Sequence, residues 1–325
     1  MFISKLLSSV DFIEHTFFGR HLYPVLSNSP LPSPNQKVLR GSSKGYFSSL
    51  NVGFKIGDLI KNVNFNRALI AGQFNVSPSK LFTLSQVHSD IIVDMDNNNF
   101  ADIPFDLTYL KLNDKNKLSQ VFPFKVQVTL ANNPLPGILA QQLVRSIKAD
   151  GMMTNKNGII LGVLSADCSP ILLVDVNNKR IAAVHCGSQG ALKQLPCKAI
   201  AALKAKANRP PKILASIGPC IQAISYEVCG EFYEKFIAQD KGSKSFFTFK
   251  EKIHQSPFLE QTKFLFNLPS YISYQLKLSG LTAENIEIMP YDTCVEEDKF
   301  FSHRRSVKKQ EKQRGLQISC IKLKI

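Results

Sequence analysis

The segment LSADCSPILLVDVNNKRIAAVHCGSQG, residues 164–190, carries a cysteine and a histidine at the two ends of a predicted β-hairpin. Residues 171–176 and 181–184 are runs of branched apolar residues, and a polar Asn-Asn-Lys turn separates them. Because the start of one strand lies beside the end of its antiparallel partner, Cys168 and His185 should be neighbours in space. Imidazole and thiolate can together bind a metal ion, or act as the base and nucleophile of a covalent mechanism.

His88, in the segment LSQVHSD, is a third residue that could take part in this chemistry. Two histidines and one cysteine suit zinc, and three protein ligands leave a fourth position for water or substrate, as in catalytic zinc sites. His88 is 80 residues from Cys168 (168 − 88 = 80). The residues alone therefore leave open whether His88 joins the pair or is an ordinary structural histidine.

Alternating apolar runs and turn signals predict a mixed α/β chain that is rich in strands. We expect strands at residues 81–82, 91–93, 159–163, 171–176, 181–184, 213–217 and 286–289, and helices at 63–74, 191–207, 227–239 and 269–279. The sequence contains no fixed-period repeat, GxGxxG segment or P-loop, which excludes the common nucleotide-binding loops.

The chain has 325 residues, 44% of them hydrophobic, and is long enough to bury a sizeable core. We expect one domain over residues 1–325, with two polar, Pro- and Asn-containing insertions near 21–40 and 96–140. The first residues lack the apolar stretch of a signal peptide, and no window offers about 18 consecutive apolar residues. These features predict a cytoplasmic protein without a membrane partner, and they leave its oligomeric state open.

Seven cysteines, an odd number without a CxxC pair, argue against a disulfide framework or a zinc ribbon. The formal net charge of +15 indicates an anionic partner, either nucleic acid or a phosphate-bearing small molecule. Basic residues are concentrated in 193–212 and 304–314, but no nucleic-acid-binding motif accompanies them. A lysine-rich proteome would give the same bias, so nucleic acid is the least favoured partner class.

Six segments appear in the order and wording of one protein family: QVHSD at 86–90, ADGMMT at 149–154, SADCSPILLVD at 165–175, AAVHCGSQG at 182–190, IGPCIQAISYEV at 217–228 and FFSHRRS at 300–306. Weaker matches, IEHTFFGR at 13–20 and GYFSSLN at 45–51, extend the similarity over nearly the whole chain apart from the insertions. The sequence resembles the laccase-domain family, also called polyphenol-oxidase-like or YfiH-like, whose members are regarded as purine nucleoside phosphorylases with adenosine deaminase activity. The resemblance implies an α/β or α+β layered sandwich of mixed β-sheets flanked by helices.

The same resemblance implies that His88, Cys168 and His185 bind a catalytic zinc ion, with copper as the second candidate. It implies that a purine nucleoside (adenosine, inosine or methylthioadenosine) reacts with phosphate to give the free base and ribose 1-phosphate. Six histidines in the entire chain argue against the histidine-rich sites of a multicopper oxidase.

Three further residues are candidates for roles beside the metal ion. Arg304 and Arg305 match the family's arginine pair and would hold phosphate or the nucleoside through forked hydrogen bonds. Asp167, next to the metal cysteine, would pass a proton during deamination or would cap a turn, and the sequence favours neither role.

The chain departs from the family pattern in part of the expected substrate wall. The family's GWRG is Gly187-Ser188-Gln189-Gly190 here, its FFSYRR has His303, and Asn267 stands where an aspartate is usual. The first change removes an indole that could stack on a base and an arginine that could bind an anion. The three expected metal positions are retained.

Three alternative functions remain open at this point. The first is an editing hydrolase that acts on mistakenly formed peptidoglycan precursors. The second is a cysteine hydrolase in which Cys168 is the nucleophile and His185 its base. The third is a degenerate homologue that retains the fold and the zinc but is not an enzyme.

Overall fold

The computed structural model describes residues 1–22, 41–96, 144–256 and 259–325, and the elements named below belong to these ranges. The strands are β1 (Ile13–Phe17), β2 (Leu81–Phe82), β3 (Ile92–Asp94), β4 (Gly151–Thr154), β5 (Ile160–Ser165), β6 (Ser169–Asp175), β7 (Arg180–Cys186), β8 (Ile213–Ile217), β9 (Glu227–Cys229), β10 (Phe247–Ser256), β11 (Leu259–Phe266), β12 (Ile286–Ile288) and β13 (Gln317–Leu323). The α-helices are α1 (Ile60–Gln73), α2 (Ser188–Leu192), α3 (Leu195–Ala205), α4 (Gly230–Gln239), α5 (Leu268–Leu278) and α6 (His303–Lys308). Within this described part, no helix is long and apolar enough to span a bilayer.

The largest sheet has six strands in the order β12-β8-β6-β7-β4-β3. Strands β6 and β7 form the predicted hairpin, which pairs Asp175 with Arg180 beside the turn and Ser169 with Cys186 at the open end. The hairpin prediction is therefore confirmed. Cys168 immediately precedes β6, and His185 lies opposite Pro170, so both residues are at the same edge of the sheet.

Alternate residues of the hairpin strands face two different cores, as the period of a β-strand requires. Leu172 packs in one core with Val163 of a second sheet, whose order is β1-β13-β5-β2. Ile171 packs on the other side with Ile200 of α3 and Ile272 of α5. Helix α1 packs on the outer face of the second sheet in a third core. The order helix, sheet, sheet, helix confirms the predicted layered sandwich of mixed sheets flanked by helices.

A third sheet, in the order β10-β11-β9, packs against α4 through an aromatic cluster. The ring centroids of Phe232, Phe236, Phe247 and Phe266 are 4.5 to 6.1 Å apart. Tyr226, just before β9, extends this cluster, because its ring lies 5.8 Å from that of Phe266. The cluster therefore holds Tyr226 in place beside the hairpin.

Two of the helix predictions are wrong in their extent. The helix expected at 191–207 is two helices, α2 and α3, because Gln194 adopts a left-handed conformation (φ 59°) and Pro196 opens the second helix. A proline there cannot donate the backbone hydrogen bond of a continuous helix. The helix expected at 227–239 begins only at Gly230, because Glu227–Cys229 pairs with β11 as strand β9.

The other predicted elements are confirmed to within three residues at each end. Strands β1, β4, β9, β10, β11 and β13 were missed. Strands β1, β4, β9 and β13 pair with strands that are distant in the sequence, whereas β10 and β11 form a hairpin of polar, lysine-containing segments without a clear apolar run. The insertions predicted near 21–40 and 96–140 lie almost entirely outside the described residues, so those boundaries and the single domain over 1–325 stay predictions.

Buried His15 should make the protein less stable in mild acid. Its side chain is 7% exposed, and its Nε2 accepts a hydrogen bond of 3.1 Å from the Ser4 amide, which requires an unprotonated nitrogen. Burial lowers the pKa of His15 to about 4, against the opposing negative charge of Glu287. As the pH decreases, His15 is therefore protonated at a higher pH in the unfolded chain than in the folded protein. Because protonation favours the unfolded chain, the free energy of unfolding should fall by about 3 kcal/mol as the pH decreases from 6.5 to about 4.

Denaturant unfolding at a series of pH values checks this expectation. The matched variant is His15→Gln, whose side-chain oxygen can accept the same hydrogen bond from Ser4 without titrating. This variant should lose most of the pH dependence between 6.5 and about 4. A pH dependence identical to that of the wild type would show that another group is responsible.

Candidate metal centre

Cys168, His185 and His88 converge at the open end of the hairpin. Their ligand atoms, one sulfur and two imidazole nitrogens, all lie within 4.8 Å of one another. The Cys168 Sγ is 3.7 Å from the His88 Nε2, and the two imidazole centroids are 5.0 Å apart. Within the described ranges, this is the one group of three or more His, Cys, Asp and Glu side chains that could hold a metal ion. The fold thus brings His88 to the pair that the hairpin register had predicted.

His88 reaches the hairpin from the loop between β2 and β3. Its backbone is left-handed, with φ 58°, a conformation that residues other than glycine rarely adopt. Lys193 Nζ donates a hydrogen bond of 2.8 Å to the His88 carbonyl and helps to hold it. A backbone conformation of this kind costs energy. It is found often at functional sites, where many surrounding contacts hold the residue in place.

Asp150, a buried residue just before β4, holds the segments of both histidines. Its Oδ1 accepts a hydrogen bond of 2.8 Å from His185 Nδ1, which leaves the Nε2 of that ring for Cys168 or a metal ion. Its Oδ2 accepts from the Ser89 hydroxyl at 2.7 Å and from the amides of Ser89 and Val87 at 2.5 and 3.2 Å. A carboxylate on the far nitrogen of a ligand histidine fixes its tautomer and orientation. The sequence contained Asp150 in its ADGMMT segment, but no sequence signal revealed this role.

The charges of the group favour a thiolate. Burial alone would raise the pKa of the Cys168 thiol, but His185 and His88 lower it to about 6. Burial would lower the pKa of His185, but the Cys168 thiolate and Asp150 raise it to about 10. Because a ligand imidazole must be unprotonated, a metal ion that binds at this site would displace a proton from His185.

Gly187, the residue before α2, leaves the space that the group needs. A Cβ at this position would lie 2.6 Å from the Cys168 Sγ and 3.3 Å from the His88 Cδ2, so a side chain would displace both ligands. Zinc ligands at 2.0 to 2.3 Å from the ion lie about 3.5 Å apart in a tetrahedron. The 3.7 Å between Cys168 Sγ and His88 Nε2 is close to that spacing. The donor set and its geometry therefore fit a tetrahedral metal ion.

A cavity of about 310 Å³ opens onto this group, and we call it the metal-site cavity. Besides the ligands His88 and Cys168, its wall contains Gly187, polar or charged Asp167, Ser188, Gln189, His303 and Arg304, and largely apolar Ala166, Ile221, Tyr226 and Leu268. This size and this mixture of apolar wall with a few polar groups are typical of sites for small organic ligands.

Arg304 and Asp167 lie together in the metal-site cavity. The Arg304 guanidinium is 5.2 Å from the centre of the Tyr226 ring, and its NH1 donates to the Glu227 carbonyl at 2.7 Å. The Asp167 carboxylate accepts from the Arg304 amide at 2.6 Å and from the Thr293 hydroxyl at 2.7 Å. Asp167 therefore anchors the first turn of α6 and also faces the cavity.

Arg305 lines a different cavity, although it follows Arg304 directly. Its guanidinium donates to the carbonyls of Thr293, Cys294 and Phe300 at 2.6 to 3.0 Å. The residue is buried, and the cavity that it lines contains none of the three side chains of the candidate metal site. The two arginines that were expected to act as a pair therefore point to separate places.

The departures from the family pattern have different structural consequences. Ser188 and Gln189 begin α2 at the wall of the metal-site cavity, where neither provides a cation or an aromatic ring. His303 lies at the start of α6, where partial burial of its ring, together with the charge of Arg314, lowers its pKa. Asn267 caps α5 by accepting a hydrogen bond from the Ser270 amide at 3.2 Å, a role that aspartate also performs.

The layered sandwich and the His-Cys-His group define a protein with a candidate metal site next to a ligand-sized cavity. The chain belongs to the family described as multi-copper polyphenol oxidoreductase laccase, which matches residues 36–324. This confirms the resemblance found in the sequence. The family description names several coppers, whereas the described part of the chain supplies one group of three ligands.

Curated relatives of the chain carry the name purine nucleoside phosphorylase. The protein of Rickettsia conorii is 32% identical over 214 residues, which are 65% of this chain and 84% of the relative. That of Haemophilus influenzae is 25% identical over 267 residues, 82% of this chain and 85% of the relative. A Shigella flexneri protein named purine nucleoside phosphorylase YfiH is 26% identical over 269 residues.

Solved structures share the architecture of this chain. A Neisseria meningitidis protein of the DUF152 family superposes with a TM-score of 0.63 at 22% identity, over 94% of this chain and 100% of that one. The Bacillus licheniformis hypothetical protein YfiH gives the same TM-score and identity over 87% of this chain and 89% of its own. At this level of identity the likeness establishes the fold.

Proposed function

We propose that this protein is a zinc-dependent purine nucleoside phosphorylase, which converts adenosine, inosine or methylthioadenosine and phosphate to the free base and ribose 1-phosphate. The observation that carries the proposal is a His88–Cys168–His185 group that opens onto a cavity with an arginine and an aromatic ring. The names of the relatives supply the reaction class.

Zinc is the metal ion that this donor set favours. Imidazole and thiolate suit zinc, and three protein ligands leave one position for water or substrate. Copper is the second candidate, although two histidines in the group are too few for a cluster of several coppers. A bound zinc ion would supply a Lewis acid at the mouth of the cavity.

Tyr226 and Arg304 are the residues that we assign to nucleoside binding. A purine base can stack on the Tyr226 ring, and Leu268 and Ile221 provide apolar surface beside it. The NH1 of Arg304 donates a hydrogen bond to the Glu227 carbonyl. The other N–H groups of the guanidinium remain available for the ribose or an anion. Among the described residues that line this cavity, Arg304 is the only arginine.

Phosphorolysis breaks the bond between C1′ of the ribose and the base nitrogen and forms a bond between C1′ and a phosphate oxygen. The base leaves with the electron pair and takes up a proton. The fixed cation of Arg304 would favour an anionic reactant near the cavity. Asp167 faces the same space and can pass a proton, so we assign it the shuttle in adenosine deamination, the second activity proposed for this site.

A cysteine hydrolase is the second candidate function, and one contact favours it. The Asp150 carboxylate on His185 Nδ1, with Cys168 on the other side of the ring, reproduces the order of carboxylate, imidazole and thiol in covalent hydrolases. In such an enzyme the thiolate attacks the substrate directly, and a chelator leaves the activity unchanged. The ligand nitrogen of His88 lies within 4.8 Å of the Cys168 sulfur and of the His185 ligand nitrogen. This third ligand favours the metal-dependent reaction instead.

Elemental analysis of the purified protein, paired with a chromatographic assay of adenosine with and without phosphate, tests the proposal. We expect about one zinc ion per chain, and adenine with ribose 1-phosphate only when phosphate is present. If adenosine, inosine and methylthioadenosine all remain intact in zinc-loaded protein with phosphate, the phosphorylase is rejected, which leaves the editing hydrolase and the inactive homologue. Inosine in the same chromatogram would report the deaminase activity.

The proposed compartment is the cytoplasm. All seven cysteines are free thiols, which fits a reducing environment in which Cys168 stays available as a ligand.

A further inference from the structure

A second cavity, of about 300 Å³, is lined by three arginines: Arg20, Arg305 and Arg314. We call it the arginine cavity. It contains none of the metal-binding side chains, and the reaction proposed above assigns it no role. Gly45 and Tyr46 of the GYFSSLN segment form part of its wall. Two segments that matched the family weakly, one ending in Arg20 and one containing Tyr46, thus meet at this place.

Backbone carbonyls hold two of these guanidinium groups in position. Arg20 donates from Nε to the Ser48 carbonyl at 2.9 Å and from NH1 to the Glu297 carbonyl at 2.7 Å. Arg305 is held by the three carbonyls described above. Burial, followed by repulsion from Arg305, lowers the pKa of Arg20. Two fixed like charges that line one cavity and repel each other would be stabilised by an anion between them.

Arg314 has one buried donor, its Nε, that is unpaired among the described residues. Buried donors of native proteins are almost always satisfied, so a ligand or a water molecule is expected to accept this hydrogen bond. The charges of Asp167 and Cys168 favour the protonated guanidinium, against the larger effect of burial, which lowers the pKa of Arg314.

Two carboxylates also line the arginine cavity, and they do not cancel its charge. Glu297 pairs with Lys309 at 2.6 Å and lies 3.8 Å from the Arg305 Nε, while Glu311 is the second acid. Three arginines and two glutamates give the lining a formal charge of +1 (3 − 2). Together with the +15 of the whole chain, this favours a small anion over a cation.

We infer that the arginine cavity binds a tetrahedral phosphate group between Arg20, Arg305 and Arg314. Guanidinium forks match the spacing of phosphate oxygens, and the unpaired Nε of Arg314 supplies a donor without breaking any existing contact. Inorganic phosphate and the 5′-phosphate of a nucleotide share this chemistry. The role of such a phosphate as the second substrate rests on the proposed function, whereas binding of the anion does not.

Calorimetric titration of the full-length protein with inorganic phosphate, in the absence of nucleoside, tests the inference. Arg314→Gln removes the charge of a side chain whose Nε has no hydrogen-bond partner among the described residues, so the fold should tolerate it. We expect its Kd for phosphate to be about tenfold higher or more. The matched control is Arg209→Gln at an exposed position next to Asn178, which should keep the wild-type Kd.

Equal Kd values for the wild type and Arg314→Gln, or no phosphate binding by the wild type, would overturn the inference. A parallel titration with adenosine 5′-monophosphate distinguishes the two sources of the phosphate group. Tighter binding that Arg314→Gln weakens would assign a nucleotide, and binding no tighter than that of phosphate would assign the free anion.

The proposed function can fail separately. Phosphate-dependent adenine release, together with equal Kd values for phosphate in the wild type and Arg314→Gln, would overturn the inference and leave the phosphorylase. Phosphate binding that Arg314→Gln abolishes, in a protein that never cleaves adenosine, would overturn the phosphorylase and support the inference.

Discussion

Cys168→Ala is expected to remove the bound metal ion and the nucleoside-cleaving activity together. The Cys168 Sγ is the one sulfur in a group of three ligands, and the two remaining imidazoles hold zinc much more weakly. The apparent binding energy of a zinc site is about 10 kcal/mol or more over all of its ligands, so losing one should lower the affinity by roughly 100- to 1,000-fold. Elemental analysis after dialysis against a weak chelator, with adenosine turnover on the same samples, measures both effects.

Cys229→Ala is the matched control, because Cys229 is another partly exposed free thiol outside the ligand group. It should retain both zinc and activity. A metal-free Cys168→Ala protein that still cleaves adenosine would contradict the metal site. A wild-type protein that remains active after complete removal of the metal, and loses activity in Cys168→Ala, would instead identify Cys168 as a nucleophile.

Asp150→Asn is expected to weaken metal binding although Asp150 is not one of the three ligands. Its carboxylate orients His185 through Nδ1 and, through the amides of Val87 and Ser89, the loop that carries His88. An asparagine has a single side-chain oxygen and adds N–H donors, so it cannot accept all of these hydrogen bonds. Loss of such a partner typically lowers metal affinity by about 10- to 100-fold. Competition with a chromophoric chelator measures the affinity directly.

A purely structural effect of Asp150→Asn can be separated from an effect on the ligands. Asp175 is also fully buried, and its carboxylate accepts hydrogen bonds from the amides of Asn177, Asn178 and Lys212 at the other end of β6. Asp175→Asn should lower the melting temperature while the folded protein keeps its zinc affinity. The absorption spectrum of the cobalt-substituted protein should shift in Asp150→Asn alone. Equal zinc affinity in wild type and Asp150→Asn would remove Asp150 from the site.

The pairing of Cys168 with His185 was predictable because it depends on a short hairpin. Two apolar runs and a polar turn set the register, and that register places the residue before one strand next to the end of the other. The joining of His88 was predictable only through the family resemblance, since its 80-residue separation from Cys168 leaves no local signal. The metal candidate group and the layered fold were therefore both accessible before the structure was known.

The role of Asp150 and the separation of the two arginines were not accessible in this way. Asp150 meets His185 because β4 pairs with β7, so that Gly151 lies opposite Val184 at the neighbouring position. Arg304 and Arg305 separate because adjacent residues of a helix point about 100° apart, which sends one side chain to the metal-site cavity and the other to the arginine cavity.

The sequence by itself determined the chemical groups of this protein, its apolar strands and the neighbourhood of Cys168 and His185, because these follow from residue types and from contacts within a hairpin. The tertiary structure decided which distant residues complete the site, namely His88, Asp150 and Arg304, and which arginines enclose the second cavity. The physical reason is that those contacts depend on strand pairing and layer packing between segments far apart in the chain. Such contacts are set by burial of the whole core and leave no pattern in any one segment.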